Sequence, residues 1–144
     1  RYGDGRGEIV DFLLVSNGEC YPPSVPSNAW IEIYLKARFL EEVSQPIYGM
    51  EIRTIDGIKV LGTNTRFKNI ICSSVKKEEI RVYRFRVKMS LNWGEYFVGL
   101  GMGDILNDTE DIPLDRRHGL IHLVVQESNR FDGLVNLDCS IEEF

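Results

Sequence analysis

From Trp30 to Phe39 the chain alternates two surfaces with period two: Ile31, Ile33, Leu35, Ala37 and Phe39 on one side, Trp30, Glu32, Tyr34, Lys36 and Arg38 on the other. A side-chain period of two belongs to an extended strand, so the segment can bury one face against a core and must present the other to whatever lies outside. That outer face sets flat aromatic rings among charged hydrogen-bonding groups. Such a surface suits a ligand with apolar C–H faces and many hydroxyls, which is the chemistry of a sugar.

Other segments repeat the pattern. Strands are predicted near 8–15, 30–40, 47–55, 58–62, 81–91, 95–102, 120–127 and 134–142, with no convincing helix. Asp56-Gly57 lies between Glu51-Ile-Arg-Thr-Ile55 and Ile58-Lys-Val-Leu61, a hairpin signal in which both turn positions take positive φ. Asn92-Trp-Gly94 separates the next two strands in a similar way, and Asn17-Gly18 followed by Tyr21-Pro-Pro-Ser-Val-Pro26 predicts a stiff loop after the first strand. Short strands at this spacing predict an all-β fold, an antiparallel β-sandwich. Its 144 residues are expected to form a single domain spanning 1–144.

Burial follows from parity. Tyr83, Phe85, Val87, Met89 and Leu91 are expected to face inward, opposite Val82, Arg84, Arg86, Lys88 and Ser90. Tyr96, Val98, Leu100 and Met102 likewise face inward, which leaves Phe97, Gly99, Gly101 and Gly103 outside. Glycines on the outer side of a strand mean a shallow trough for a ligand, a close approach of another backbone, or a bulge. The polar segment Asp104–Arg117 is predicted as the longest loop, and Cys139 as a small core residue on the apolar side of the last strand.

A net charge of −5 argues against nucleic acid or an anionic membrane as main partner, since either demands a surface that neutralises phosphates. No apolar run approaches the ~20 residues of a membrane helix, so direct membrane insertion is not expected. The N-terminal segment carries no hydrophobic secretory signal. Because the chain begins without Met, it is expected to be a processed product or a piece of a longer protein. Cys20, Cys72 and Cys139 are odd in number and widely spaced, which fits a reducing cytoplasm better than a disulfide framework.

Signatures of catalysis are missing. There is no phosphate-binding Gly-x-x-x-x-Gly-Lys loop, no Gly-x-Ser-x-Gly elbow and no His-Glu-x-x-His helix. Gly99-x-Gly101-x-Gly103 has no helix after it. His118 and His122 lie ~13 Å apart along a strand and are not expected to share a metal. The acidic stretch Asp104–Asp115 misses the spacing of a calcium loop and is expected to be solvated. Neither a metal nor a cofactor is expected. Asn107-Asp-Thr109 matches a glycosylation acceptor, which matters only in a secreted protein.

Arg1-Tyr-Gly-Asp-Gly-Arg-Gly-Glu-Ile9, Pro46-Ile-Tyr-Gly-Met-Glu-Ile-Arg53 with Asp56-Gly57, Leu61-Gly-Thr-Asn-Thr65 and Leu91-x-x-Gly94-x-Tyr96 resemble, in that order and at similar spacing, the C-terminal domain of Wzt. Wzt is the nucleotide-binding subunit of the ABC transporter that exports lipopolysaccharide O-antigen in Gram-negative bacteria. The resemblance spans nearly the whole chain, and Gly62-Thr-Asn-Thr65 is its most specific piece. It implies a jelly-roll or immunoglobulin-like sandwich, not an enzyme, that recognises the modified non-reducing end of the O-polysaccharide and couples chain completion to export. It also implies a homodimer, in one form with exchanged C-terminal strands, beside the ATPase domain and the membrane subunit of the transporter at the cytoplasmic face of the inner membrane.

The ligand-facing residues come from alternation alone. Trp30 and Tyr34 are expected to stack on pyranose faces, Glu32 to accept hydroxyl hydrogen bonds, and Lys36, Arg84 and Arg86 to donate, provided their two strands share a sheet. Arg84 and Arg86 can equally be a solvated strand edge. Glu51 and Arg53 are second-rank candidates, while Asn64 and Thr65 are expected to satisfy local backbone groups. Two other functions stay open: a dimerisation domain with no glycan site, and a glycan-modifying enzyme, which needs a deep pocket with two facing carboxylates.

Overall fold

The strands of this chain are, in order, β1 (Gly7–Ser16), β2 (Glu19–Cys20), β3 (Trp30–Phe39), β4 (Pro46–Thr54), β5 (Lys59–Asn64), β6 (Ile80–Lys88), β7 (Gly94–Ile105) and β8 (Asp111–Val125). The structure, a computed structural model, describes residues 2–128 and 130–144, so Arg1 at the head of the first motif lies outside it. Pairing is antiparallel in two four-stranded sheets, β2-β1-β3-β6 and β5-β4-β7-β8. They stack into the all-β sandwich that the periodicity predicts.

Parity builds the core. Ile31, Ile33, Leu35, Ala37 and Phe39 of β3 are fully buried, and Tyr48, Met50 and Ile52 of β4 meet them together with Tyr96, Val98, Leu100 and Met102 of β7. Each such side chain removed from water contributes about 1.5–3 kcal/mol. Tyr48 joins the sheets directly: its ring stacks on Tyr83 of β6 at 3.8 Å and meets Phe39 edge-on at 6.3 Å. Burial pushes the Tyr83 hydroxyl up to about 12, so the pair stays neutral.

One seam of the sandwich is tied shut. Tyr2 bridges Arg116, Val25 bridges Val125, and the buried Asp115 accepts the Ile9 amide at 2.8 Å while holding Arg117 at 3.2 Å. Gly3 is confined to glycine here, because its φ is +144° and a Cβ would meet the Leu114 carbonyl oxygen at 2.2 Å. The opposite seam, between β5 and β6, lies between two sheet edges.

Several segments depart from the sequence reading. Asn17 (φ 50°) and Gly18 (φ 74°) form a two-residue turn that folds β2 back on β1, where a stiff loop was expected. At Asp56-Gly57 only Gly57 takes positive φ; its amide closes on Thr54 at 2.9 Å, and the ladder shifts register at Ile52/Arg53. Asn92-Trp-Gly94 links strands of different sheets, so it is a crossover and not a hairpin turn. The predicted loop 104–117 is mostly strand. Its Pro113 fits because β8 is a sheet edge, where a missing N–H costs little, and buried Leu114 and Asp115 anchor the run.

The predicted strand 134–142 does not form. Val135 bridges Leu91, flanked by bonds from the Asn92 amide to the Leu134 carbonyl and from the Asn136 amide to the Ser90 carbonyl; beyond Asn136 no ladder continues among the described residues, and Leu137 and Ile141 are exposed. Cys139 is therefore exposed and not a core residue. An apolar, alternating sequence becomes a strand only where an edge is within reach.

Replacing Asp115 by Ala leaves the half-buried Arg117 guanidinium and the buried Ile9 amide without their carboxylate, and we expect a loss of about 2 kcal/mol. Chemical denaturation checks it through a lower midpoint at unchanged slope; an unshifted midpoint would show that the carboxylate does not tie the seam.

Candidate functional site

The residues expected from alternation do come together. β3 and β6 pair directly, with Trp30 opposite Lys88, Glu32 opposite Arg86, Tyr34 opposite Arg84 and Lys36 opposite Val82, all on the outer face of one sheet. Trp30 is 54 % exposed and carries the Arg86 guanidinium 5.1 Å from its ring centroid. Tyr34 donates its hydroxyl to Glu32 Oε2 at 2.8 Å, and Arg84 Nη1 stands 3.7 Å from the same oxygen. This ridge is preorganised, yet much of its hydrogen-bonding capacity is spent within itself.

Glu51 and Arg53 lie on the opposite sheet and belong to a different setting. The register sets Gly62, Glu51 and Gly99 in one row across β5, β4 and β7, and Asn64, Gly49 and Gly101 in the next, with Gly101 opposite Arg116 of β8. A floor of glycines between longer side chains leaves a cavity of about 400 Å³ on the outer face. The glycines are there for different reasons. A Cβ on Gly99 would meet the Arg117 carbonyl oxygen at 2.9 Å, beside the bulge at Val98/Leu100, and one on Gly49 the Thr63 carbonyl oxygen of β5 at 2.9 Å, so both serve close backbone packing. A Cβ on Gly101 would make only ordinary contact with Arg116 at 3.4 Å, and this is where the trough stays open. Trough and close backbone approach, left as alternatives by the sequence, coexist.

Charge is arranged around that floor. Glu51 Oε1 accepts Arg53 Nε at 2.9 Å and lies 2.5 Å from His118 Nδ1, while Oε2 takes Arg53 Nη2 at 3.1 Å and sits 3.5 Å from Lys59 Nζ. Burial by itself would push the Glu51 carboxyl up; hydrogen bonds from Arg53 and His118, reinforced by their charge, hold it down at about 2. Across the trough Asp111 faces Arg66 at 3.4 Å and Arg116 at 3.7 Å. Phe67, 71 % exposed, stands at the rim because Asn64 Oδ1 accepts its amide at 2.7 Å and fixes the turn after β5. Thr65 meanwhile accepts the Tyr48 amide through Oγ1 at 3.2 Å, so both residues carry the backbone duty expected of them.

Sequence reasoning missed Phe67, Asp111, Arg116 and His118 as site residues. Phe67 follows the Gly62-Thr-Asn-Thr65 motif and was findable from it; Asp111 and Arg116 lie within the segment 104–117 that the sequence presents as a polar loop, and His118 directly after it, all three on β8. His122 is separate from His118, contacting Glu95 at 2.9 Å and Phe97 at 5.3 Å between ring centroids. Among the described residues no group of His, Cys, Asp and Glu is placed to hold a metal, and no helix is long and apolar enough to cross a membrane.

A family model described as the Wzt C-terminal domain matches residues 1–137. Among solved structures the chain is similar to a crystal structure of the C-terminal domain of Wzt, at 30 % identity over 99 % of this chain and 87 % of that one, with a TM-score of 0.92. A Bacteroides fragilis protein assigned as a beta-galactosidase overlaps 78 % of this chain and 17 % of its own at 15 % identity, with a TM-score of 0.44, and carries no argument. A comparison with curated proteins gave no match.

Since the folded Glu51 carboxyl lies at about 2 and its ordinary value is 4.5, its ionic contribution to stability is complete above pH 4.5 and drains away as pH falls towards 2. We expect Glu51→Gln to destabilise the domain at neutral pH and to flatten the acid limb of its stability curve. Thermal melts of both proteins across that range decide it, and parallel limbs would refute the coupling.

Proposed function

We propose, from the premise that this chain belongs to the Wzt C-terminal domain family, that it is a non-catalytic carbohydrate-binding module, one domain of a longer transporter subunit, which reads the modified non-reducing end of an O-antigen polysaccharide. The observation that carries this reading is the glycine-floored trough. Without a side chain at Gly101 a pyranose can lie against the sheet itself, with Phe67 offering a flat apolar face and Glu51, Lys59, Asp111, Arg116 and His118 offering hydrogen-bond partners for hydroxyls or a terminal substituent. Concavity favours this face over the flat one that carries Trp30 and Tyr34.

Electrostatics favour binding over hydrolysis. A glycosidase needs a carboxylic acid kept protonated by a raised pKa to protonate the leaving group. Glu51 is shifted the other way and stays ionised, which suits a fixed acceptor for sugar hydroxyls. In the full protein the domain works at the cytoplasmic face of the inner membrane, beside the ATPase domain and the membrane subunit, and couples recognition of the finished chain end to export.

A second reading, dimerisation, is favoured by the tail after Asn136, where Leu137 is 86 % and Ile141 91 % exposed on a segment with strand-like alternation. Exchanged between two copies, the tail finds the sheet edge it lacks at home. The two readings are compatible in one homodimer.

Calorimetric titration with O-polysaccharide, with and without its terminal modification, tests recognition. Phe67→Ala is expected to weaken binding by about tenfold and Gly101→Leu to abolish it, both with unchanged melting temperature. Equal affinity of all three proteins would remove the trough from the reading. For the dimer, deletion of residues 137–144 should give a monomer by light scattering; an unaltered mass would place the interface elsewhere.

A further inference from the structure

A second cavity, of about 430 Å³, occupies the open seam between β5 and β6. Leu61, Thr63 and Asn64 form one wall, and Tyr83, Phe85 and Val87 the other; these are the inward members of β6, left half-buried because no strand covers its edge. The cavity turns round β6 to Arg84 and Arg86 and reaches the indole of Trp30. Thr63 and Asn64, with Met50 of β4 beneath them, also line the trough, so the two spaces adjoin across the edge strand β5.

This continuity has a chemical consequence. A polysaccharide whose last residue sits in the trough must leave it somewhere, and across β5 it meets aromatic and aliphatic walls for its C–H faces with guanidinium groups along the rim for its hydroxyls. The route ends on Trp30, whose ring is held in place by Arg86 and stays 54 % exposed. Tyr34, with its hydroxyl set on Glu32, continues the same face ~13 Å farther along β3.

We propose that the glycan chain runs from the trough over the β5 edge at Thr63 and Asn64, through the seam, and onto Trp30, so that the domain grips several sugar residues behind the terminal one and binds long chains more tightly than short ones. The proposal rests on the trough as the end-reading site. It gives the alternation-derived residues Trp30, Arg84 and Arg86 a distinct task, holding the body of the chain.

The test uses the intact chain with fragments of the O-polysaccharide that keep the modified non-reducing end, a disaccharide and an octasaccharide, titrated by calorimetry. The octasaccharide is expected to bind about tenfold tighter than the disaccharide, and Trp30→Ala and Arg86→Ala to erase that gain while leaving disaccharide affinity as it was. A gain that survives in both variants, or a wild-type protein with no gain at all, overturns the path even where the disaccharide binds and Gly101→Leu abolishes its binding. If a gain emerges only after residues 137–144 are removed, the seam belongs to the tail and the proposal is equally overturned. Failure of wild type to bind either fragment is the separate result that removes the trough reading beneath it.

Discussion

Two sheets can share one core only if every long strand turns residues of a single parity inward, and that demand governs the outside of this molecule as strictly as the inside. Once Ile31 to Phe39 of β3 and Tyr96 to Met102 of β7 are committed to the core, the intervening residues have no choice of direction. Trp30, Glu32 and Tyr34 must line one outer face, and Gly99, Gly101 and Gly103 must line the other. A slip of one residue in either register would bury charges and expose the hydrophobic set, a cost of many kcal/mol that no surface contact offsets.

The two outer faces reach different outcomes from the same rule. Where side chains are long, as on β3 and β6, they satisfy one another: a guanidinium on an indole, a phenol on a carboxylate. Where the outward positions are glycine, the backbone itself becomes the surface and charged residues can stand only at its margins. Glu51 shows the effect most sharply. Lodged beside Gly99 and ringed by Arg53, Lys59 and His118, it is held ionised at neutral pH, which is the property the proposed carbohydrate-binding reading asks of a fixed acceptor.

The edges of the sheets carry the remaining functional potential. One seam is closed by Asp115 and the bridges around it, which makes the sandwich a rigid frame. The other opens between β5 and β6, and the residues there are apolar, aromatic and partly exposed, an arrangement that natural sheets ordinarily cover or charge. Arg84 and Arg86 are compatible with protecting that edge and with the chain-holding task proposed for them beside Trp30.

Much was legible in the amino-acid order alone: the alternation of β3, β4, β6 and β7, the direction of Trp30 and Glu51, the outward glycines, the structural duty of Asn64 and Thr65, and the family resemblance. These are local properties, since the side-chain period and turn chemistry of a strand are set by its own residues. What only the tertiary structure decided were pairings. That 111–125 is a strand depends on β7 beside it and on the burial of Leu114 and Asp115; that 134–142 is not one depends on a missing neighbour; that His118 meets Glu51 and that Arg116 comes to rim the trough depends on the order of strands in a sheet. A strand is half of an interaction, and its sequence determines the face it offers without determining which other strand will meet it.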